Sequence, residues 1–163
     1  MSIIDEHKMD NFRRLEVDEV RRICKDDPVR PYIDAYWRVD NHLKGMIEYK
    51  EGDKTAYICY TVCARIPESE MDMYNLSYKD VNHINSEPSF TTAVFYTVWS
   101  TDGIGWKLIK LMPEYIKQQH SHVEKFVTLS PLTPMATNFH MRNGAKCLNI
   151  GQTCQNFEYK LDA

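Results

Sequence analysis

Two rhythms of apolar residues divide the chain. Phe12 to Val17 reads as a first short strand, and Asp18 follows as a candidate N-cap for a helix through Lys25, with Glu19 well placed in the first turn. Asp26, Asp27 and Pro28 end that helix. Tyr32, Ile33, Tyr36 and Trp37 fall at helical spacing, so Pro31 to Trp37 is expected as a second short helix. His42 to Tyr49 then returns as a strand, Glu51 to Lys54 makes a hairpin turn, and Thr55 to Ile66 is its long partner. That partner carries tyrosines and β-branched or small residues on both faces, as an interior strand does.

Pro67 to Ser89 is polar and too long for a plain turn. Met71, Met73, Tyr74 and Leu76 within it predict a part that packs back on the domain as a rim or lid. Thr91 to Trp99 is the clearest strand. It leads through Ser100 to Gly105 into an amphipathic helix whose Trp106, Ile109, Met112 and Ile116 share a face; Pro113 is expected to kink or restart it. Lys125 to Leu129 reads as a short strand, and Met135 to Asn143 as a helix with Gly144 as its left-handed C-cap. Cys147 to Leu161 reads as a closing strand pair. The order predicts an α+β fold with a mostly antiparallel, mixed central sheet and flanking helices.

At 163 residues the chain fits one domain, 1–163, large enough to bury its own core. A formal charge of −3 gives no basic footprint, so nucleic acid is not an expected partner. Met1 to Asp10 lacks the apolar core of a leader, and no 18-residue uncharged run exists to enter a membrane, so the protein is expected to be cytoplasmic. The five cysteines form no C-x-x-C pair and read as core thiols, Cys59 and Cys63 sharing one strand face. His120 and His122 have no carboxylate or thiol at ligand spacing; they read as surface residues, and no metal is expected.

Two constellations carry candidate chemistry. The first is the Gly103-Ile104-Gly105 turn between strand and helix, an arrangement that presents backbone N–H groups and a helix dipole to a phosphate-bearing cofactor. Trp99, Ser100 and Trp106 surround the turn, where the aromatics either line a ligand channel or belong to the core. The second is Asn138-Phe139-His140 with Asn143, Gly144 and Ala145, a short distance after Leu129-Ser130-Pro131. The proline biases Ser130 to extended geometry at a strand end, where its hydroxyl either points into a cleft or closes a local turn. Asn143 shares the helix face of His140, whereas Arg142 points away and reads as solvated.

The strand, Gly turn and helix, followed by a strand, helix and terminal hairpin, resemble the acyl-CoA-binding fold of the Gcn5-related acetyltransferases. In that family the loop usually opens with Gln or Arg where this chain has Ser100, and Asp102 here stands beside the expected phosphate. A tyrosine that protonates the departing thiolate occurs where this chain has His140, which replaces an intrinsic pKa of about 10 by one of about 6.5. The segment from about Thr55 onward also resembles the catalytic domain of malonyl-CoA decarboxylase. The motifs in common order are Cys63-Ala64, Thr92 to Tyr96 with its Gly turn, Leu129-Ser130-Pro131 and Asn138-Phe139-His140-x-x-Asn143-Gly144-Ala145.

That resemblance implies loss of CO₂ from malonyl-CoA, with His140 donating a proton to the enolate and Ser130 holding the carboxylate or oxyanion. The expected coenzyme A contacts are Trp99, Ser100, Gly103, Ile104, Gly105, Trp106 and Asn143, with a coenzyme A thioester as substrate. The family's helical domain ahead of the catalytic one is not expected here, and only nine residues, Pro131 to Phe139, lie between Ser130 and His140, which leaves substrate and a homodimeric assembly open. The alternatives are an acyltransferase acting on a small-molecule or protein amine or thiol, and a non-catalytic acyl-CoA-binding module.

Overall fold

The computed structural model describes residues 11–77 and 89–161. Its strands are β1 (Phe12–Arg14), β2 (Lys44–Glu51), β3 (Lys54–Cys63), β4 (Thr92–Ser100), β5 (Lys125–Thr128), β6 (Ser130–Pro131), β7 (Lys146–Ile150) and β8 (Cys154–Tyr159). They form one sheet in the order β1, β2, β3, β4, β5, β8, β6, with β7 also paired to β8. Every pair is antiparallel except β4 with β5. A parallel pair needs a crossover, and the helix α4 (Gly105–Gln119) provides it. The other helices are α1 (Val17–Ile23), α2 (Ala35–Val39), α3 (Glu70–Ser77) and α5 (Pro134–Arg142).

The period-2 alternation of β3 splits the core into two layers. Ala56, Ile58, Tyr60 and Val62 meet Leu108, Ile109, Met112 and Ile116 of α4, and Phe139 of α5 packs on the same layer. Cys59 and Cys63 meet Val20 of α1, Ala35 of α2 and Met73 of α3 on the opposite face. Burial pushes the Cys59 thiol up to about 11 and the Cys63 thiol to about 12, so both stay protonated as small core residues.

The β4 strand carries the irregularity that shapes the molecule. Its register with β3 slips between Cys59↔Thr97 and Tyr60↔Phe95, which leaves Tyr96 as the extra residue of a bulge. Pairing with β5 covers only Thr92 to Phe95, and the Leu129 N–H closes it on the Phe95 carbonyl at 3.1 Å. Beyond that point the two parallel strands part, β4 staying on β3 while β5 continues into β6 along β8.

Several element boundaries differ from the sequence reading. Helix α1 starts at Val17 with Glu16 at the cap, and the Glu19 carboxylate accepts the Glu16 N–H at 3.2 Å; Asp18 lies inside the first turn. The second helix begins four residues later than expected, at Ala35, with Asp34 accepting the Trp37 N–H. The reason is long-range: residues 27–33 are held as a loop by Asp27. Its Oδ1 accepts the N–H groups of Val29 and Arg30 and the Thr97 hydroxyl, and its Oδ2 pairs with the fully buried Arg38 at 2.9 Å. Arg38 also donates to the carbonyls of Ile33 and Arg30.

Pro113 does not restart α4, which runs through it as one element with the proline buried. Contrary to expectation, His120 is 8 % exposed; it caps α4 with its N–H donating to Ile116 O at 2.7 Å, and its carbonyl accepts the Val123 N–H at 3.0 Å. The Pro67 to Ser89 stretch contains α3, which packs back through Met73, Tyr74 and Leu76; the remainder of the rim or lid expected there, 78–88, lies outside the described residues.

Candidate functional site

The parting of β4 from β5 opens a cavity of about 450 Å³ lined by Val98, Trp99, Ser100, Gly103, Gly105, Trp106, Phe139, Arg142 and Asn143. Three local features build it. Gly103 sits at φ +74, a conformation that side chains other than glycine's rarely adopt, and it turns the chain from strand to helix. The Ser100 hydroxyl accepts the Ile104 N–H at 3.1 Å and closes the turn. Helix α4 begins at Gly105 without a side-chain cap or an acidic first turn, and the Gly105 and Trp106 N–H groups find no acceptor among the described residues. Two orphan donors at the positive end of a four-turn helix are an arrangement that favours negative charge.

The open edge of β4 adds a second kind of contact. The Thr101 N–H donates to Thr55 O at 3.2 Å, continuing the β3–β4 ladder. By alternation, Val98 and Ser100 turn their backbone groups to the side from which β5 has departed. An extended ligand carrying amides can therefore add there as a strand would.

Of the residues singled out in the sequence, Trp99, Ser100, Gly103, Gly105, Trp106 and Asn143 meet at this cavity, and Ile104 is buried beneath it as the helix cap. Sequence reasoning missed Val98, Phe139 and Arg142. Arg142 read as solvated from its helical phase; it is exposed, yet it lines the cavity because the end of α5 meets the Gly turn. Only the three-dimensional approach of α5 to α4 reveals this. Asn143 caps α5, its Nδ2 donating to Phe139 O at 2.7 Å.

His140 and Ser130 are not hydrogen-bonded to each other. His140 is 6 % exposed, packed against Phe139 and Phe157, with Nδ1 2.7 Å from the Tyr159 hydroxyl. Burial pushes its pKa down to about 4, so the ring is neutral at pH 7. The Ser130 Oγ lies 2.7 Å from Thr128 Oγ1, which itself accepts the Phe157 N–H. Neither side chain lines the cavity. Gln155 ties α5 to β6, its Nε2 donating to Thr137 Oγ1 and Pro131 O, both at 2.9 Å.

No protein-family model matches the chain, and no curated protein matches it in sequence. Among solved structures, the crystal structure of Arabidopsis thaliana NAA60 in complex with acetyl-CoA superimposes with a TM-score of 0.51 over 91 % of this chain and 96 % of that one, at 16 % identity. The chain has the acyl-CoA N-acyltransferase fold. The malonyl-CoA decarboxylase resemblance finds no support in these comparisons. Among the described residues no helix is long and apolar enough to cross a membrane, and no group of three His, Cys, Asp or Glu side chains could hold a metal.

Proposed function

We propose that the protein is an acyl-CoA-dependent acyltransferase that moves an acyl group from coenzyme A to an amine or thiol. The observation that carries this reading is the uncapped N-terminus of α4, with two orphan N–H groups opening on a cavity at the parting of β4 and β5. The pyrophosphate would take the N–H groups of Gly105 and Trp106 and the charge of Arg142. The pantetheine amides would pair with the backbone of Val98 and Ser100, and Trp99 and Trp106 would cover its apolar stretches.

Transfer from this position needs little from the protein beyond placement. The acceptor's lone pair attacks the thioester carbon, the new bond to carbon forms and the C–S bond breaks. Coenzyme A leaves as a thiolate, which takes up one proton lost by the acceptor. His140, neutral and bonded to Tyr159, supports the packing of α5 against β8 in this account, and Ser130 with Thr128 supports the strand edge.

The test is incubation of the protein with acetyl-CoA, and separately with malonyl-CoA, together with a set of amines and thiols, followed by mass spectrometry. An acetylated acceptor together with free coenzyme A is the expected result. Acetyl-CoA produced from malonyl-CoA, without any acylated acceptor, would restore decarboxylation as the activity.

A further inference from the structure

Where β5 leaves β4, side chains take over the hold that a neighbouring strand would have had. Pairing ends at Phe95, whose carbonyl accepts the Leu129 N–H at 3.1 Å. The next carbonyl, that of Tyr96 in the bulge, accepts Nη1 of Arg30 instead. The residue after it is gripped as well, the Thr97 hydroxyl donating to Asp27 Oδ1 at 2.7 Å. Two consecutive residues of β4 are thus held from the α1–α2 loop, immediately before Val98, whose backbone begins the open edge.

Arg30 is itself fixed before any ligand arrives. Its N–H donates to Asp27 Oδ1 at 3.0 Å, its carbonyl accepts Arg38 Nη2 at 2.7 Å, and its Nε donates to Glu70 Oε1 at 2.5 Å. The Tyr32 hydroxyl donates to the same Glu70 oxygen, and Arg30 Nη2 lies 3.9 Å from Cys154 Sγ of β8. The guanidinium therefore spans the gap between β4 and β8, 2 % exposed, and lines a second cavity of about 440 Å³ with Tyr32, Glu70 and Cys154. Burying a cation is costly, and a backbone carbonyl by itself asks for no more than a neutral donor. What lies beside that carbonyl in the acyl-transfer reading accounts for the charge. With the pyrophosphate at Gly105 and the amides along Ser100 and Val98, the thioester is the next group of the ligand and falls at the apex beside Tyr96 and Thr97. An uncovered carbonyl there would turn its negative end toward the thioester oxygen, on which charge grows as the acceptor adds. A cation bonded to that carbonyl offsets this field.

We infer that Arg30 is a positioning residue for acyl transfer, acting through the Tyr96 carbonyl on the aim of the Val98 N–H and on the field at the thioester; the inference rests on the acyl-transfer reading above. Glu70 orients the guanidinium, and Asp27 steadies the same stretch of β4 through Thr97. Arg30 touches neither the coenzyme nor the acceptor in this arrangement. Its influence is confined to the thioester end of the ligand, while the pyrophosphate end depends on the Gly turn.

The experiment compares the amide NMR shifts caused by acetyl-CoA with those caused by coenzyme A in the intact protein, so that the difference reports the acyl end alone. In the wild type this difference is expected at Tyr96, Thr97 and Val98. It should vanish in Arg30→Met and return in part in Arg30→Lys, while the shifts of Gly105 and Trp106 with coenzyme A persist in both. In turnover with the amines and thiols above, Arg30→Met should lower kcat about tenfold or more and leave the acetyl-CoA KM within about twofold. Thr97→Val, which removes one hydroxyl and no charge, should weaken the same acyl-end difference, and it decides the matter if Arg30→Met does not fold. A difference that survives these variants overturns the inference, and so does one lost together with the Gly105 and Trp106 shifts, because Arg30 would then be merely structural. Either result leaves the acyl-transfer reading standing. A wild type without saturable coenzyme A shifts, or without transfer, overturns that reading and the inference with it.

Discussion

At the scale of single residues, His140 shows how much of a side chain's chemistry is decided by surroundings that its own motif does not contain. Its neighbours in sequence suggest an acid or base near neutrality. Phe157 and Tyr159, brought in by β8, instead enclose the ring and hold it neutral with a pKa near 4. Unfolding returns the ring to about 6.5, so between these values the unfolded chain binds more protons than the folded one and stability falls as pH falls. The difference from the ordinary value corresponds to about 3 kcal/mol, fully present above pH 6.5 and lost on acidification to about 4. Thermal denaturation across this window should show a steep decline in the wild type and a shallower one in His140→Gln; equal slopes would show that the ring is solvated. Gly103 is the contrasting case. Its turn role was legible from the Gly-x-Gly spacing alone, because a positive φ is a local demand and glycine is the local answer.

At the scale of elements, the strands, the crossover helix α4 and the capped helix α5 follow from periodicity and punctuation. The loop before α2 does not. Tyr32 and Ile33, at helical spacing with Tyr36 and Trp37, make Pro31 read as the start of a helix, but Asp27 draws residues 27–33 into a loop with donors from Val29, Arg30 and Thr97. Thr97 lies 70 residues away, and no local pattern announces such a partner. The same network pins the α1–α2 loop to the β4 bulge and so sets where Arg30 reaches Tyr96. Asp27→Asn removes the charge facing the fully buried Arg38, which should cost about 3 kcal/mol or more. A urea midpoint lowered accordingly is the expected result; an unchanged midpoint would mean that Arg38 finds other compensation.

At the scale of the whole molecule, the fold class was readable because the order of elements is distinctive, and the glycine-turn half of the site was readable because it is continuous in sequence. That Ser130 and His140 take separate partners was not. Thr128 is a local partner of Ser130, but Tyr159 reaches His140 from β8, whose placement beside α5 only the assembled sheet defines. The same assembly creates two cavities on opposite faces of one parting between strands, joined by a bulge whose carbonyl is held by Arg30. The central claim is that acetyl-CoA binds at the first of them. The most direct measurement is an amide NMR titration of isotope-labelled protein with acetyl-CoA, compared with Gly105→Asp, which sets a negative charge at the helix N-terminus. Saturable shifts centred on Val98, Gly103, Gly105 and Trp106 in the wild type, weakened in the variant, are predicted. Shifts elsewhere, or none at all, would contradict the account.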